Sequence, residues 1–136
     1  MSVAVDPYIF FKGNAREAME FYKHIFGGDL VTQTYAEVNM PPTEGLSHDS
    51  LMHASLEGGH AKLMASDTAQ ASPVAAKISI SLSGTDEETL RGIFDKLSEG
   101  VEVKYPLKKE FWGDTFGSVT DKYGVEWMIN ITGKPA

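Results

Sequence analysis

One pattern occurs twice in this chain, 72 positions apart, and it limits the fold more than any other feature of the sequence. Asn14-Ala15-Arg16-Glu17 reads as a capping box, with Asn14 accepting from first-turn amides and Glu17 reaching back. Ala18, Phe21, Tyr22 and Ile25 then recur at helical spacing until Gly27-Gly28 closes the pattern. Thr85-Asp86-Glu87-Glu88 opens a second helix in the same way, with Leu90, Ile93, Phe94 and Leu97 as its apolar stripe and Gly100 beyond it. Phe21 matches Ile93, Tyr22 matches Phe94, Ile25 matches Leu97 and Gly28 matches Gly100. The shared offset reads as a duplicated unit, set against chance similarity between two amphipathic helices.

The flanks of each helix are strand-like. Tyr8-Ile9-Phe10-Phe11 precedes the first, and Lys77 to Ser83 precedes the second, with Ile78, Ile80 and Leu82 alternating against polar neighbours. Leu30 to Ala36 predicts a strand, followed by a loop marked by Pro41-Pro42 and Gly45. Leu51 to Ser66 is interrupted by Gly58-Gly59, a two-residue hairpin signal that sets His53 opposite Met64. Met52, Ala54, Leu56, Ala61, Leu63 and Ala65 then share an apolar face, and His53, Ser55, Lys62, Met64 and Ser66 a polar one. Val101 to Val103 predicts a short strand. Phe116 to Thr120, a turn at Asp121-Lys122-Tyr123-Gly124, and Val125 to Ile131 predict a final hairpin. Each half thus reads β-α-β-β-β, an α+β class, with module one over about residues 1–67 and module two over about 74–136 of a single domain.

Composition removes several function classes. There are no cysteines among the 136 residues, so a disulfide framework, a thiolate zinc site and a cysteine nucleophile are all excluded. The longest apolar run, Tyr8 to Phe11, is far short of the roughly 20 residues of a membrane helix. Met1-Ser2-Val3-Ala4-Val5-Asp6 has neither the basic start nor the apolar stretch of a secretory signal, so the expected location is cytoplasmic. A net charge of −7, with Lys104, Lys108 and Lys109 the densest basic cluster, argues against nucleic-acid binding.

Local strings carry a family resemblance. Pro7-Tyr8-Ile9-Phe10-Phe11-Lys12-Gly13-Asn14, His53-Ala54, Leu63-Met64-Ala65-Ser66-Asp67, Phe111-Trp112-Gly113, and the run from Phe116 to Asn130 follow one another along nearly the whole chain. The chain thereby resembles the PhnB-like branch of the vicinal oxygen chelate superfamily, which includes glyoxalase I, extradiol dioxygenases and bleomycin resistance proteins. The resemblance implies half-barrel sheets with helices outside, a ligand cavity on the concave face, and a homodimer. It also implies four metal-ligand positions, which fall here on Pro7, on Met64 or Leu63, on Lys77 or Ser79, and on Met128. None is a carboxylate or imidazole, so no metal and no other cofactor is expected.

The expected cavity face combines His53, Ser55, Met64 and Ser66 with Ile9 and Phe11 from the first strand, Lys77 and Ser79 from the fifth, and Glu126 and Met128 from the last. His53 is the candidate for chemistry, as ligand contact or general base, against the alternative of a solvated strand histidine. Lys77 and Glu126 read either as an ion pair in the cavity or as charges reaching solvent. Trp112, on a long connection between strands, reads as a cap over the pocket mouth or as a packing or dimer contact. Three functions remain: a small-molecule binder or metal-independent enzyme, a metal-dependent lyase or dioxygenase, and a drug-sequestering protein without catalysis. A phosphonate ligand is disfavoured, because the only arginines, Arg16 and Arg91, lie on the helices.

Overall fold

A computed structural model describes residues 6–42, 45–68 and 78–133. The chain divides into two compact units, Met1–Ala75 and Ala76–Ala136. The first contains β1 (Tyr8–Phe11), α1 (Ala15–Phe26), β2 (Asp29–Thr34), β3 (Leu51–Glu57) and β4 (Leu63–Asp67). The second contains β5 (Ile80–Gly84), α2 (Glu87–Leu97), β6 (Tyr105–Lys109), β7 (Thr115–Thr120) and β8 (Glu126–Ile131). Each unit has the β-α-β-β-β order that the duplication predicts. Each forms a four-stranded mixed sheet, in the orders β1-β4-β3-β2 and β5-β8-β7-β6. In both, the first strand pairs parallel to the last and the other pairings are antiparallel.

The helices bury the stripes that their spacing announces, except that Phe21 of α1 is only half-buried. Ala18, Tyr22 and Ile25 are buried on α1, joined by Ala15, Met19 and Phe26, and Leu90, Ile93, Phe94 and Leu97 are buried on α2. Facing them are Leu51, Ala54, Leu56, Leu63 and Ala65 in the first sheet, and Val119, Trp127, Ile129 and Ile131 in the second. Full burial of each large side chain stabilises by roughly 1.5–3 kcal/mol, which makes these faces the cores of the two units.

The two helices begin differently from the sequence expectation and from each other. Asn14 makes no side-chain cap on α1. Asp67, at the end of β4, supplies the acceptor instead: its Oδ1 takes the N–H groups of Gly13 at 2.8 Å and Ala15 at 2.9 Å, and its Oδ2 takes that of Leu51 at 2.9 Å. In the second unit Ile131 occupies the equivalent place, since Gly84 pairs with Ile131 as Phe11 pairs with Asp67. There α2 is capped locally by Asp86, not Thr85, with the Asp86 carboxylate accepting from Thr89 N at 3.1 Å. A duplicated fold has thus met one requirement, an acceptor for first-turn amides, in two ways.

Three other expectations are corrected. Residues 101–103 are not a strand; the third strand of unit two is Tyr105–Lys109, an exposed edge strand that tolerates Pro106 because its outer N–H positions need no partner. Ile78 is 79% exposed and precedes β5, whose pairing with β8 starts only at Ile80 opposite Trp127. Gly58-Gly59 is not a two-residue turn. The connection runs from Gly58 to Lys62 because it docks on the end of α1, where His60 N donates to Phe26 O at 2.9 Å. A Cβ on Gly59 would strike the Phe26 and Gly27 carbonyls, so the glycine is there for close approach. The expected turn chemistry at Asp121 does hold: Asp121 Oδ1 accepts from Tyr123 N and Val125 N, and Gly124 adopts φ 87°.

Candidate functional site

Each sheet has one face packed on its helix and one open face. In the first unit the antiparallel register sets Ser55 opposite Met64 and Val31, and His53 opposite Gln33. The longer connection therefore moves Met64 two residues from its expected place opposite His53, yet leaves both side chains on the open face, since a shift of two preserves parity. Ser66 shares that face but is only 5% exposed.

The first strand is the larger correction. Its parallel register pairs Tyr8 with Met64 and Phe10 with Ser66, while Ile9 pairs with Ala65 and Phe11 with Asp67. Ile9 and Phe11 thus lie on the helix side, where Phe11 is buried, and Tyr8 and Phe10 line the open face. Pro7 also leaves the face; its carbonyl accepts from Met64 N at 3.0 Å. A four-residue run of apolar side chains has no alternation from which to read its parity, so only the pairing partner decides it.

Tyr8 brings with it the best-defined polar contact of the face. Its hydroxyl lies 3.0 Å from His53 Nδ1, the two rings are 5.6 Å apart, and Phe10 packs 5.1 Å from Tyr8. The phenol fixes the imidazole orientation and leaves Nε2 without a hydrogen-bond partner among the described residues. With the phenol donating, Nε2 carries the proton and is a donor; with Nδ1–H donating to the phenol oxygen, Nε2 is an acceptor.

In the second unit the same reasoning places Ser79 and Glu126 together, with the Ser79 hydroxyl donating to Glu126 Oε1, and sets Met128 between Ser81 and Ser118 on the open face. Lys77, the expected partner of Glu126, lies outside the described residues. Trp112 sits not on a long connection but in the tight turn between β6 and β7, 53% exposed and edge-on to Phe111 at 4.9 Å. Beside it Asp114 accepts from Gly133 N at 2.9 Å and from the Asn130 amide at 3.1 Å. Chiefly the Gly133 bond, then Asn130 and a smaller contribution from Trp112, hold the Asp114 carboxyl below its ordinary value. A lowered folded-state pKa stabilises above the ordinary carboxylate range of about 3.9 and loses that effect as pH falls through the folded value. The Gly133 amide resonance is therefore expected to titrate with a midpoint below that range; a midpoint at or above it contradicts the assignment.

The metal implied by the resemblance does not fit these residues. The implied ligand positions fall on Pro7, with Tyr8 beside it on the open face, on Met64 or Leu63, on Ser79 and on Met128. Their thioethers and hydroxyls are poor donors for a divalent ion. The nearest stronger donors, the His53 imidazole and the Glu126 carboxylate, are hydrogen-bonded to Tyr8 and Ser79 in different units. His48, Asp49 and His60 lie in exposed connections outside His53's strand. Among the described residues no three His, Cys, Asp or Glu side chains gather as a metal set. No described helix is long and apolar enough to cross a membrane.

Comparison with known proteins agrees with this architecture. A solved structure of protein PA1353 from Pseudomonas aeruginosa superposes with a TM-score of 0.84 at 35% identity, over 98% of this chain and 100% of that one. The PhnB protein from Bacillus cereus superposes with a TM-score of 0.76 at 26% identity, over 96% and 100%. Protein YjdN of Escherichia coli is 27% identical over 139 residues, covering 93% of this chain and 94% of its own length. The family profile described as Glyoxalase/Bleomycin resistance protein/Dioxygenase superfamily matches residues 4–129, and the chain belongs to that superfamily.

Proposed function

We propose that this protein binds a small, uncharged, planar organic molecule on the open face of its first sheet, and that it does so without a metal. The observation that carries the reading is the cluster of Tyr8, Phe10 and His53, with an imidazole nitrogen left available beside two aromatic rings. Tyr8 is 38% exposed, Phe10 54% and Val31 61%, so the face offers apolar area as well as a polar handle. The face carries charge at one end, where Lys62 pairs with Asp6 and with Glu57 and where Asp29 lies opposite Glu57. The side chains nearest the cluster in register, Gln33, Ser55, Met64 and Ser66, carry none. A phosphonate or carboxylate would find no cation among them, and a cationic ligand no anion. In this reading His53 Nε2 hydrogen-bonds the ligand, Tyr8 holds the ring, and Ser55 and Met64 line the floor. Ser79, Glu126, Met128 and Trp112 belong to the second unit, and the superfamily resemblance supports them as contacts of a ligand on that unit's own sheet.

A panel of naphthol, naphthoate and naphthylmethylammonium, followed by amide chemical shifts of residues 51–57 and 63–67, tests the ligand class. Naphthol is expected to bind and the charged analogues to bind more weakly. His53→Gln and Tyr8→Phe should each weaken naphthol binding by roughly three- to tenfold, the loss of one polar contact of about 0.5–1.5 kcal/mol. Equal binding of all three probes, or no effect of either substitution, contradicts the reading.

A metal-independent enzyme is a second reading, favoured by the same hydrogen bond, because Tyr8 can orient His53 as a general base. It requires a turnover loss on the order of 10²–10⁴ in His53→Gln with affinity retained. Loss of affinity alone assigns His53 to binding.

A further inference from the structure

The second unit contains a recess of about 420 Å³, within the range of small-molecule sites, which, unlike the Tyr8–Phe10–His53 cluster, is lined by charged residues. It opens because β6 pairs with β7 only from Tyr105, opposite Ser118, whereas Val119 and Thr120 run on without a partner on that side. Residues 101–104 leave the sheet here instead of extending it. The backbone at this margin is held closely: a Cβ on Gly117 would come within 2.9 Å of both Tyr105 O and Leu107 N. The recess is therefore a product of the edge strand's register.

Its lining carries both signs of charge. Lys104, Glu102 and Glu126 all line it, together with Ser118, Thr120 and the 66% exposed Tyr105. Among the described residues Lys104 makes no ion pair with either carboxylate, although all three line one cavity. Glu126 is instead steadied by the Ser79 hydroxyl. A simple anion would meet two carboxylates, and a simple cation would meet the lysine. A molecule bearing one charge of each sign can pair with both.

The geometry points to a binding site for a zwitterionic small molecule of the α-amino-acid class, with its carboxylate on Lys104, its ammonium on Glu102 and Glu126, and its side chain against the Tyr105 ring. The recess is built from residues of the second unit alone, and the proposal does not depend on the reading of the first unit's aromatic face.

The test uses the whole protein and three forms of one probe: L-leucine, leucinamide, which keeps only the cation, and N-acetyl-leucine, which keeps only the anion. Amide shifts of Lys104, Tyr105, Ser118 and Thr120 report occupancy. Leucine is expected to bind about two- to fivefold more tightly than either derivative, the effect of one solvent-exposed ion pair. Lys104→Met should erase the advantage over leucinamide, and Glu126→Gln should reduce that over N-acetyl-leucine. Far-UV circular dichroism of both variants confirms that they are folded. Equal affinity for the three forms, preference for a singly charged form, or no shift at these amides with leucine overturns the proposal.

Discussion

Replacing Asp67 with alanine is expected to cost about 2–6 kcal/mol of folding stability, close to the whole margin of a small domain. Asp67 is 1% exposed, and its carboxylate is the acceptor for the backbone N–H groups of Gly13, Ala15 and Leu51. The bonds to Ala15 and Leu51 are buried. Removing the acceptor leaves those donors without water to replace it, at roughly 1–3 kcal/mol each. The same aspartate ties the start of α1 to β3, and its backbone carbonyl accepts from the Tyr35 hydroxyl at 2.9 Å. Asp67→Asn keeps one acceptor oxygen but turns an NH2 toward an N–H, so its loss should fall between alanine and wild type. Asp86→Ala is the internal comparison: it removes an exposed local cap and should cost only about 0.5–2 kcal/mol. Urea unfolding with unchanged m-values measures all three. Equal losses in Asp67→Ala and Asp86→Ala would show that the buried network adds nothing beyond an ordinary cap.

Trp127→Ala is expected to cost about 3–5 kcal/mol, the range for removing a large aromatic from a packed core. Trp127 is fully buried, and its Nε1 donates to Asp121 Oδ2 at 2.8 Å. The same carboxylate organises the turn through Tyr123 N and Val125 N, so the indole connects the core of the second unit to the hairpin that positions Glu126 and Met128. Trp127→Phe separates the two contributions. It retains most of the apolar volume and loses the indole N–H, and should cost about 1–3 kcal/mol. A phenylalanine variant as unstable as the alanine one would mean that the hydrogen bond, not burial, dominates. One indistinguishable from wild type would mean that the bond contributes nothing net.

Much of the candidate site was legible where a strand alternates. In β3 and β4 small and apolar residues alternate with His53, Ser55, Met64 and Ser66, and those four do share the open face of the first sheet. Alternation fixes parity even when register slips by two, which is why the hairpin error did not displace His53. Tyr8, the residue that orients His53, was missed for the opposite reason: Tyr8-Ile9-Phe10-Phe11 is apolar throughout. The 72-residue offset did not help, because it is exact only for the helices. It aligns Tyr8 with Ile80, yet Tyr8 lies on the open face and Ile80 on the helix side. One of the two strand-to-helix connections differs by a residue, and a single residue inverts the face of a strand.

What the sequence determined by itself is local in origin. The helical stripes of α1 and α2, the cap at Asp86 within its own helix, the Asp121 turn and the alternating faces of the hairpins all arise from residues within a few positions of one another. The tertiary structure alone decided which face β1 presents, because that depends on a parallel partner 56 residues away, Met64 for Tyr8. It also decided that α1 is capped by Asp67 from another strand and not by the adjacent Asn14, and that Gly58-Gly59 docks on a helix end and does not form the tightest turn. Local signals specify elements through short-range sterics and periodicity. They do not say which distant backbone will approach, and in this protein that approach sets the composition of the open face.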